Sequence, residues 1–146
     1  MKDTLTSVIL SIKPIYAQAI IAGTKKVEFR KKIFKREVEK IFIYSSMPKK
    51  MMVGYFTILD IVEDTPTNLW NQFKEVGGIS EKDFFEYYKN VEKGFSIKIN
   101  EVVKFEKEIE PEDFIEEFCA PQSYIYIEEK TTANSGLAQL GVWGKL

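Results

Sequence analysis

The sequence contains no histidine and only one cysteine. Without histidine, the chain cannot form a Ser-His-Asp triad, a Cys-His pair or a histidine metal site. Cys119 alone permits neither an intrachain disulfide nor a cysteine-built zinc site, and a free cysteine is usually a small buried hydrophobe. Any catalysis must therefore rest on Lys, Glu, Asp, Tyr, Thr, Ser or Arg side chains.

Long apolar runs are also missing, and this bounds the class of protein. No run approaches the roughly 20 residues of a membrane span, and the N-terminus lacks the order of a secretory signal. The 146 residues are 45% hydrophobic and 14% aromatic, which is enough for one sizeable core and unlike a disordered chain. We therefore expect a soluble, cytoplasmic protein with one principal domain and no membrane association.

A net charge of −1 conceals a strong asymmetry along the chain. Residues 1–50 hold 12 basic and four acidic side chains, a balance of +8, whereas the remainder has a balance of −9. Within the basic half, residues 25–36 carry seven cations and a single acid, Glu28. Such a segment can attract a polyanion, although a solvated strand and turn would also explain it.

The hydrophobic pattern predicts an α+β fold. Residues 8–13 form an apolar strand, Pro14 suits the first position of a helix ending at Gly23, and residues 26–30 alternate like a strand. Further strands are predicted at 40–46, 52–62, 95–99, 103–105 and 122–128, with helices opening at Thr65 and Ser80 and a short acidic helix at 110–118. This order favours a small β-barrel with an N-terminal helix and an inserted helix pair, and the 95–105 region reads as a two-strand ribbon.

The densest set of polar side chains follows the first helix. Gly23 ends that helix, and the next strand displays Lys26, Glu28 and Arg30 on one face. One carboxylate among cations could accept from a nucleobase while a neighbouring cation holds a phosphate or carbonyl oxygen. The alternative is an ordinary exposed ion pair worth at most about 1 kcal/mol.

Two sequence motifs stand out: Ser11-Ile12-Lys13-Pro14 with Tyr16-Ala17, and residues 21–30 with the sequence IAGTKKVEFR. Together they resemble the signature of the ASCH domain, a member of the PUA-like superfamily. The strand end Tyr44-Ser45-Ser46 before Val53-Gly54, and Pro121-Gln122-Ser123-Tyr124, agree with it. The resemblance covers residues 7–128, and it implies a PUA-like barrel over 1–130 with a C-terminal extension of unknown role at 131–146.

The resemblance also implies a link to RNA or nucleotides, through a cleft at the first helix–strand junction. Some relatives resemble small amidohydrolases acting on acetylated cytidine, and others are described as ribonucleases. Gly23, Lys25 and Arg30 match the amidohydrolase motif, but Glu28 occupies the position of its threonine. A carboxylate cannot replace that hydroxyl, so an enzyme here would instead use Lys25 and Glu28 as acid/base partners.

The hypothesis for the site therefore extends beyond one strand. The predicted nucleic-acid or ligand-binding residues are Lys13, Lys25, Lys26, Glu28, Arg30, Tyr44, Ser45, Gln122, Ser123 and Tyr124. The alternatives are that Tyr44 is a core residue and Ser45 a turn residue, that Lys13 is a solvated lysine at a strand end, and that Gln122, Ser123 and Tyr124 serve ordinary strand packing.

The sequence leaves three kinds of function open. The first is an RNA- or nucleotide-binding module, the second a metal-independent hydrolase acting on a modified nucleoside or RNA, and the third an adaptor for an acidic protein partner. We expect no cofactor and no metal, and the pattern does not determine the oligomeric state.

Overall fold

Seven strands and three helices make up the computed structural model, which describes residues 4–113, 115, 118–121, 124–130 and 140–145. The strands are β1 (Thr4–Ile12), β2 (Val27–Arg30), β3 (Ile41–Ser45), β4 (Met51–Asp64), β5 (Gly94–Ile109), β6 (Tyr124–Lys130) and β7 (Leu140–Lys145). The helices are α1 (Pro14–Ala22), α2 (Pro66–Phe73) and α3 (Glu81–Tyr87), with a 3-10 turn at Pro111–Asp113. None of the described helices has both the length and the apolar character needed to cross a membrane.

All seven strands belong to one sheet with the order β2-β5-β4-β3-β1-β6-β7. β1 and β3 are parallel, and the other neighbouring pairs are antiparallel. The α+β class is confirmed, including the N-terminal helix and the inserted helix pair. In the described part of the chain β2 and β7 remain edge strands, so closure into a barrel is not confirmed.

The helix boundaries follow the local signals in the sequence. α1 begins at Pro14 and ends where the amide of Gly23 donates to the carbonyl of Ile20. The hydroxyl of Thr65 accepts from the amide of Asn68, and that of Ser80 accepts from the amide of Asp83. These two N-caps satisfy helix donors that have no intrahelical partner. All three helices start where the sequence predicts.

The predicted ribbon at 95–105 is wrong, because β5 is one continuous strand of 16 residues. It pairs with β4, and the register shifts between Phe56 and Ile58 and again between Ile58 and Asp60. Near these irregularities the hydroxyl of Thr57 accepts from the amide of Glu101, at 3.2 Å. A side chain thus replaces a ladder hydrogen bond, and the strand continues where alternation alone suggested a reversal.

The structure differs from the sequence prediction at residues 110–118, and it describes part of the C-terminal extension. The helix predicted at 110–118 is a 3-10 turn over Pro111–Asp113, and residues 114, 116 and 117 lie outside the described part. Within the predicted extension, β7 pairs with β6 and therefore adds an edge strand to the same sheet.

Buried side chains form three clusters, two of which use opposite faces of the sheet. The third lies where the inserted helices cover β2, and it joins Val27, Phe29, Leu69, Phe73, Phe84 and Tyr88. The rings of Phe29 and Phe84 meet edge to face, with centroids 4.9 Å apart. The inserted pair therefore fixes the position of β2, the strand that carries Glu28 and Arg30.

Gly54 lets α1 pack closely on the sheet. A Cβ atom at Gly54 would lie 2.3 Å from the carbonyl oxygen of Val103 and 3.0 Å from Cδ1 of Ile21. The first of these contacts is with the backbone of the neighbouring strand, which cannot move aside cheaply.

We predict that Gly54→Ala lowers the free energy of unfolding by about 2–3 kcal/mol, because it overpacks the β4–β5 contact. Gly23→Ala is the matched control, since nothing lies within 4 Å of its new Cβ and only the positive φ of 84° is unfavourable. That control should cost about 1 kcal/mol. Urea unfolding measures both, and an equal loss in the two variants would contradict the packing argument.

Candidate functional site

The turn after α1 and the strand that follows it bring two cations to one carboxylate. Oε2 of Glu28 lies 3.2 Å from Nη1 of Arg30, and Oε1 of Glu28 lies 3.9 Å from Nζ of Lys25. The Glu28 and Lys25 side chains are only 7% and 3% exposed, and that of Arg30 is 14% exposed. The exposed ion pair considered from the sequence is therefore a largely buried triad.

The inserted helices and α1 enclose the ammonium group of Lys25. Its Nζ donates a hydrogen bond to the carbonyl oxygen of Gly77, in the turn after α2. The same nitrogen lies 5.2 Å from the ring centroid of Tyr16 and 5.0 Å from that of Phe29. Two aromatic faces, a carbonyl and a carboxylate thus surround this ammonium group, and they offset part of the cost of removing the cation from water.

Arg30 connects this triad to the end of β1. Its Nη1 also donates to the carbonyl oxygen of Ser11, at 3.3 Å. The hydroxyl of Ser11 in turn donates to the carbonyl oxygen of Pro121, at 2.7 Å. A chain of polar contacts therefore runs from β2 across β1 to the segment that precedes β6.

The other predicted site residues separate into exposed and buried groups. Lys13, at the N-terminus of α1, and Lys26 are both exposed. Tyr44 is 5% exposed and its ring packs 5.4 Å from that of Phe118, which fits the core alternative. Tyr124 is also buried, against Phe34. Gln122 and Ser123 lie outside the described residues.

A groove of about 460 Å³ lies along α1 and is lined by other residues than the triad. Its walls include Gln18 and Ile21 of α1, Ser45 at the end of β3, and the cations Lys49 and Lys104. Lys49 is paired with Glu108 at 2.7 Å. Of the predicted site residues, Ser45 lines this groove, whereas Lys25, Glu28 and Arg30 are not part of its lining.

Burial gives the triad its chemical character. Desolvation lowers the pKa of Lys25, and the negative charge of Glu28 opposes part of that decrease. Burial also raises the pKa of the Tyr16 hydroxyl, helped by the negative charges of Asp83 and Glu28. A lysine with a lowered pKa is able to give up and recover a proton nearer to neutrality than an exposed lysine.

A family model of the ASCH domain matches residues 10–111, which make up most of the chain and include the whole triad. The chain belongs to the ASCH domain family. The resemblance seen in residues 11–30 is therefore confirmed.

The relatives from Zymomonas mobilis agree with this assignment. The ASCH domain-containing ribonuclease of Zymomonas mobilis is 26% identical over 127 residues, which cover 85% of this chain and 86% of that protein. The crystal structure of the Z. mobilis ASCH protein superposes with a TM-score of 0.75 over 81% of this chain and 85% of that one, at 26% identity. In Ureaplasma parvum, an ATP synthase subunit alpha is 28% identical over 69% of this chain but only 13% of its own length.

Three residues that contact the triad are not among the predicted site residues, although two of them lie in the ASCH motif. Ser11 and Tyr16 belong to the motif but were not given a role. Gly77 has no local signal, because its contact with Lys25 joins residues 52 positions apart. A Cβ at Gly77 would lie 2.8 Å from the ring of Phe29, so the Gly77-Gly78 turn also provides close packing over the site.

Because the pKa of Lys25 is lowered, we predict that this residue makes the free energy of unfolding depend on pH. Between that folded-state pKa and the ordinary value of 10.5, the unfolded chain binds more protons than the folded ASCH domain. The free energy of unfolding of the wild type, relative to Lys25→Met, should therefore rise as the pH increases through this window. Urea unfolding at about pH 7 and about pH 10 measures this difference.

The exposed Lys26→Met variant is the matched control for this measurement. A difference between the wild type and Lys25→Met that stays constant or falls with increasing pH would contradict the burial of a lysine with a lowered pKa.

Proposed function

We propose that this ASCH domain binds single-stranded RNA or a nucleotide-like ligand at the junction of α1 and β2. The observation that carries the proposal is the similarity to the Z. mobilis ASCH domain-containing ribonuclease, which extends over 86% of that protein. It supports an RNA-related function, and the geometry of the triad supports the location. Flexible single strands can present both phosphates and base edges to such a cluster.

In this proposal the exposed lysines make the first contacts. Lys13 and Lys26 lie at the two ends of the segment that contains α1, and both are exposed. Each can neutralise a phosphate, which releases counterions and makes binding depend on salt. Arg30, the most exposed member of the triad, then contacts the ligand, while Glu28 holds the Arg30 guanidinium in place.

The remaining predicted residues would act farther from the triad. Ser45 lies in the groove beside α1, where a base or sugar could enter. Gln122 and Ser123 follow Pro121, which the Ser11 hydroxyl holds at the end of β1. Tyr44 and Tyr124 support the strands from the core in the conformation described here, and direct contact with RNA stays a prediction for them.

We predict that Lys13→Gln combined with Lys26→Gln weakens binding of single-stranded RNA roughly tenfold at moderate salt, because two phosphate contacts are lost. The slope of log affinity against log salt should become shallower by about 1.4. Fluorescence anisotropy with labelled oligouridylate measures both quantities. Lys82→Gln with Lys107→Gln, two exposed lysines elsewhere, is the control, and equal behaviour of the two double variants would argue against this site.

A ribonuclease activity is the second candidate, and one feature of the triad favours it. Cleavage of RNA by its own 2′-hydroxyl requires a group that removes the hydroxyl proton and a group that protonates the leaving oxygen. Lys25, whose pKa is lowered by burial, can act in such proton transfer, and Glu28 lies 3.9 Å from it. Because Lys25 is only 3% exposed, the Gly77 turn would have to move for RNA to reach its Nζ.

The expected result is slow cleavage of labelled single-stranded RNA that continues in EDTA and falls at least a hundredfold in Lys25→Met. Product formation is followed by denaturing electrophoresis, with Lys82→Gln/Lys107→Gln as the control for contaminating nuclease. Circular dichroism checks that Lys25→Met remains folded. Cleavage abolished by EDTA, or unchanged in folded Lys25→Met, would remove the lysine-based mechanism while leaving RNA binding untouched.

A further inference from the structure

The segment that leaves β2 carries an uninterrupted set of cations outside the triad. Residues 31–36 connect β2 towards β3, and we call them the basic loop. Its four cations are exposed and no acid separates them: Lys31, Lys32, Lys35 and Arg36. The acids of this region, Glu37 and Glu39, come only after the last of these cations. The loop therefore begins directly beside Arg30 and presents one sign of charge.

The basic loop is anchored to β6 by its two apolar residues and its backbone. Phe34 is only 9% exposed, and its ring packs edge to face on Tyr124 with centroids 5.0 Å apart. The hydroxyl of Tyr124 donates to the carbonyl oxygen of Ile33, at 3.5 Å, and the amide of Lys35 donates to the hydroxyl oxygen of Tyr126, at 2.8 Å. These contacts lie between the exposed cations along the chain, so the backbone that carries the cations is held in a defined arrangement.

The side chains of the loop differ in how they are engaged. Nζ of Lys31 lies 4.8 Å from the ring of Tyr87, and the Arg36 guanidinium lies 4.8 Å from the ring of Tyr126. Lys32 and Lys35, in contrast, have no ion-pair partner within the described residues. Because the backbone is already fixed, it loses little further conformational entropy when these cations bind an anion.

We propose that the basic loop is a strip that binds the phosphate backbone of RNA flanking the nucleotide held at the triad. The identity of the polyanion as RNA rests on the proposed function, whereas the phosphate-binding character rests on the loop itself. Because the loop follows directly after Arg30, a strand that reaches the triad can continue over Lys32 and Lys35. The strip contacts only phosphates, so it adds affinity without selecting sequence.

The test compares a short and a long RNA in Lys32→Gln combined with Lys35→Gln. Oligouridylate of about three nucleotides should reach the triad alone, and one of about twelve should also cover the strip. The double variant should bind the long RNA roughly tenfold more weakly, with a salt slope shallower by about 1.4, and bind the short RNA like the wild type. Phe34 and the tyrosines are unchanged, so the fold is preserved.

Two controls separate the strip from the triad and from general charge. Lys13→Gln/Lys26→Gln should weaken binding of both the short and the long RNA. Lys82→Gln/Lys107→Gln should not weaken binding of one RNA more than binding of the other. If the Lys32/Lys35 variant binds the long RNA like the wild type, or no more weakly than the Lys82/Lys107 control does, the strip is refuted while RNA binding stands.

Binding of inorganic polyphosphate tests the strip if the wild type binds neither RNA. In that case the proposed function fails, and inorganic polyphosphate of about twelve units becomes the deciding probe. Binding of polyphosphate that is lost in Lys32→Gln/Lys35→Gln supports the strip on its own. Absence of polyphosphate binding, or binding equal in that variant and the control, overturns it.

Discussion

The Glu28 carboxylate is the interaction on which the arrangement of the site depends. It lies between Lys25 and Arg30, largely removed from water, where two cations without an acid would be strongly unfavourable. Removal of one partner from a buried ion pair typically costs about 3–5 kcal/mol, because the remaining charge is left uncompensated. Glu28 therefore holds Lys25, in the turn after α1, close to Arg30 of β2, which in turn contacts the end of β1.

The inserted helix pair has a structural role that its position in the chain does not suggest. α2 and α3 cover one face of β2 through Phe29, Phe84 and Tyr88, and the turn after α2 supplies the carbonyl of Gly77 to Lys25. The pair thereby removes Lys25 from solvent and lowers the pKa of that lysine. The same insertion that completes the core thus sets the chemistry available at the triad.

Around the triad, charge is distributed by depth. The buried members are compensated by one another, whereas Lys13, Lys26 and the basic loop present cations to solvent. Exposed cations attract a polyanion and are screened by salt, while the buried group has a fixed orientation and a low effective dielectric. In the function that we propose, attraction, positioning and any proton transfer would therefore rest on different side chains.

Local signals in the sequence determined much of this protein. Pro14, Gly23, Thr65 and Ser80 set the ends of helices, and the absence of histidine restricted the chemistry, because both depend only on residue type and near neighbours. The ASCH motif likewise located the triad. The tertiary structure alone decided that Lys25 and Glu28 are buried, that β5 continues through residue 101, and that Gly77 meets Lys25. Each of these depends on contacts between residues distant along the chain, and alternation or charge spacing carries no information about what packs above them.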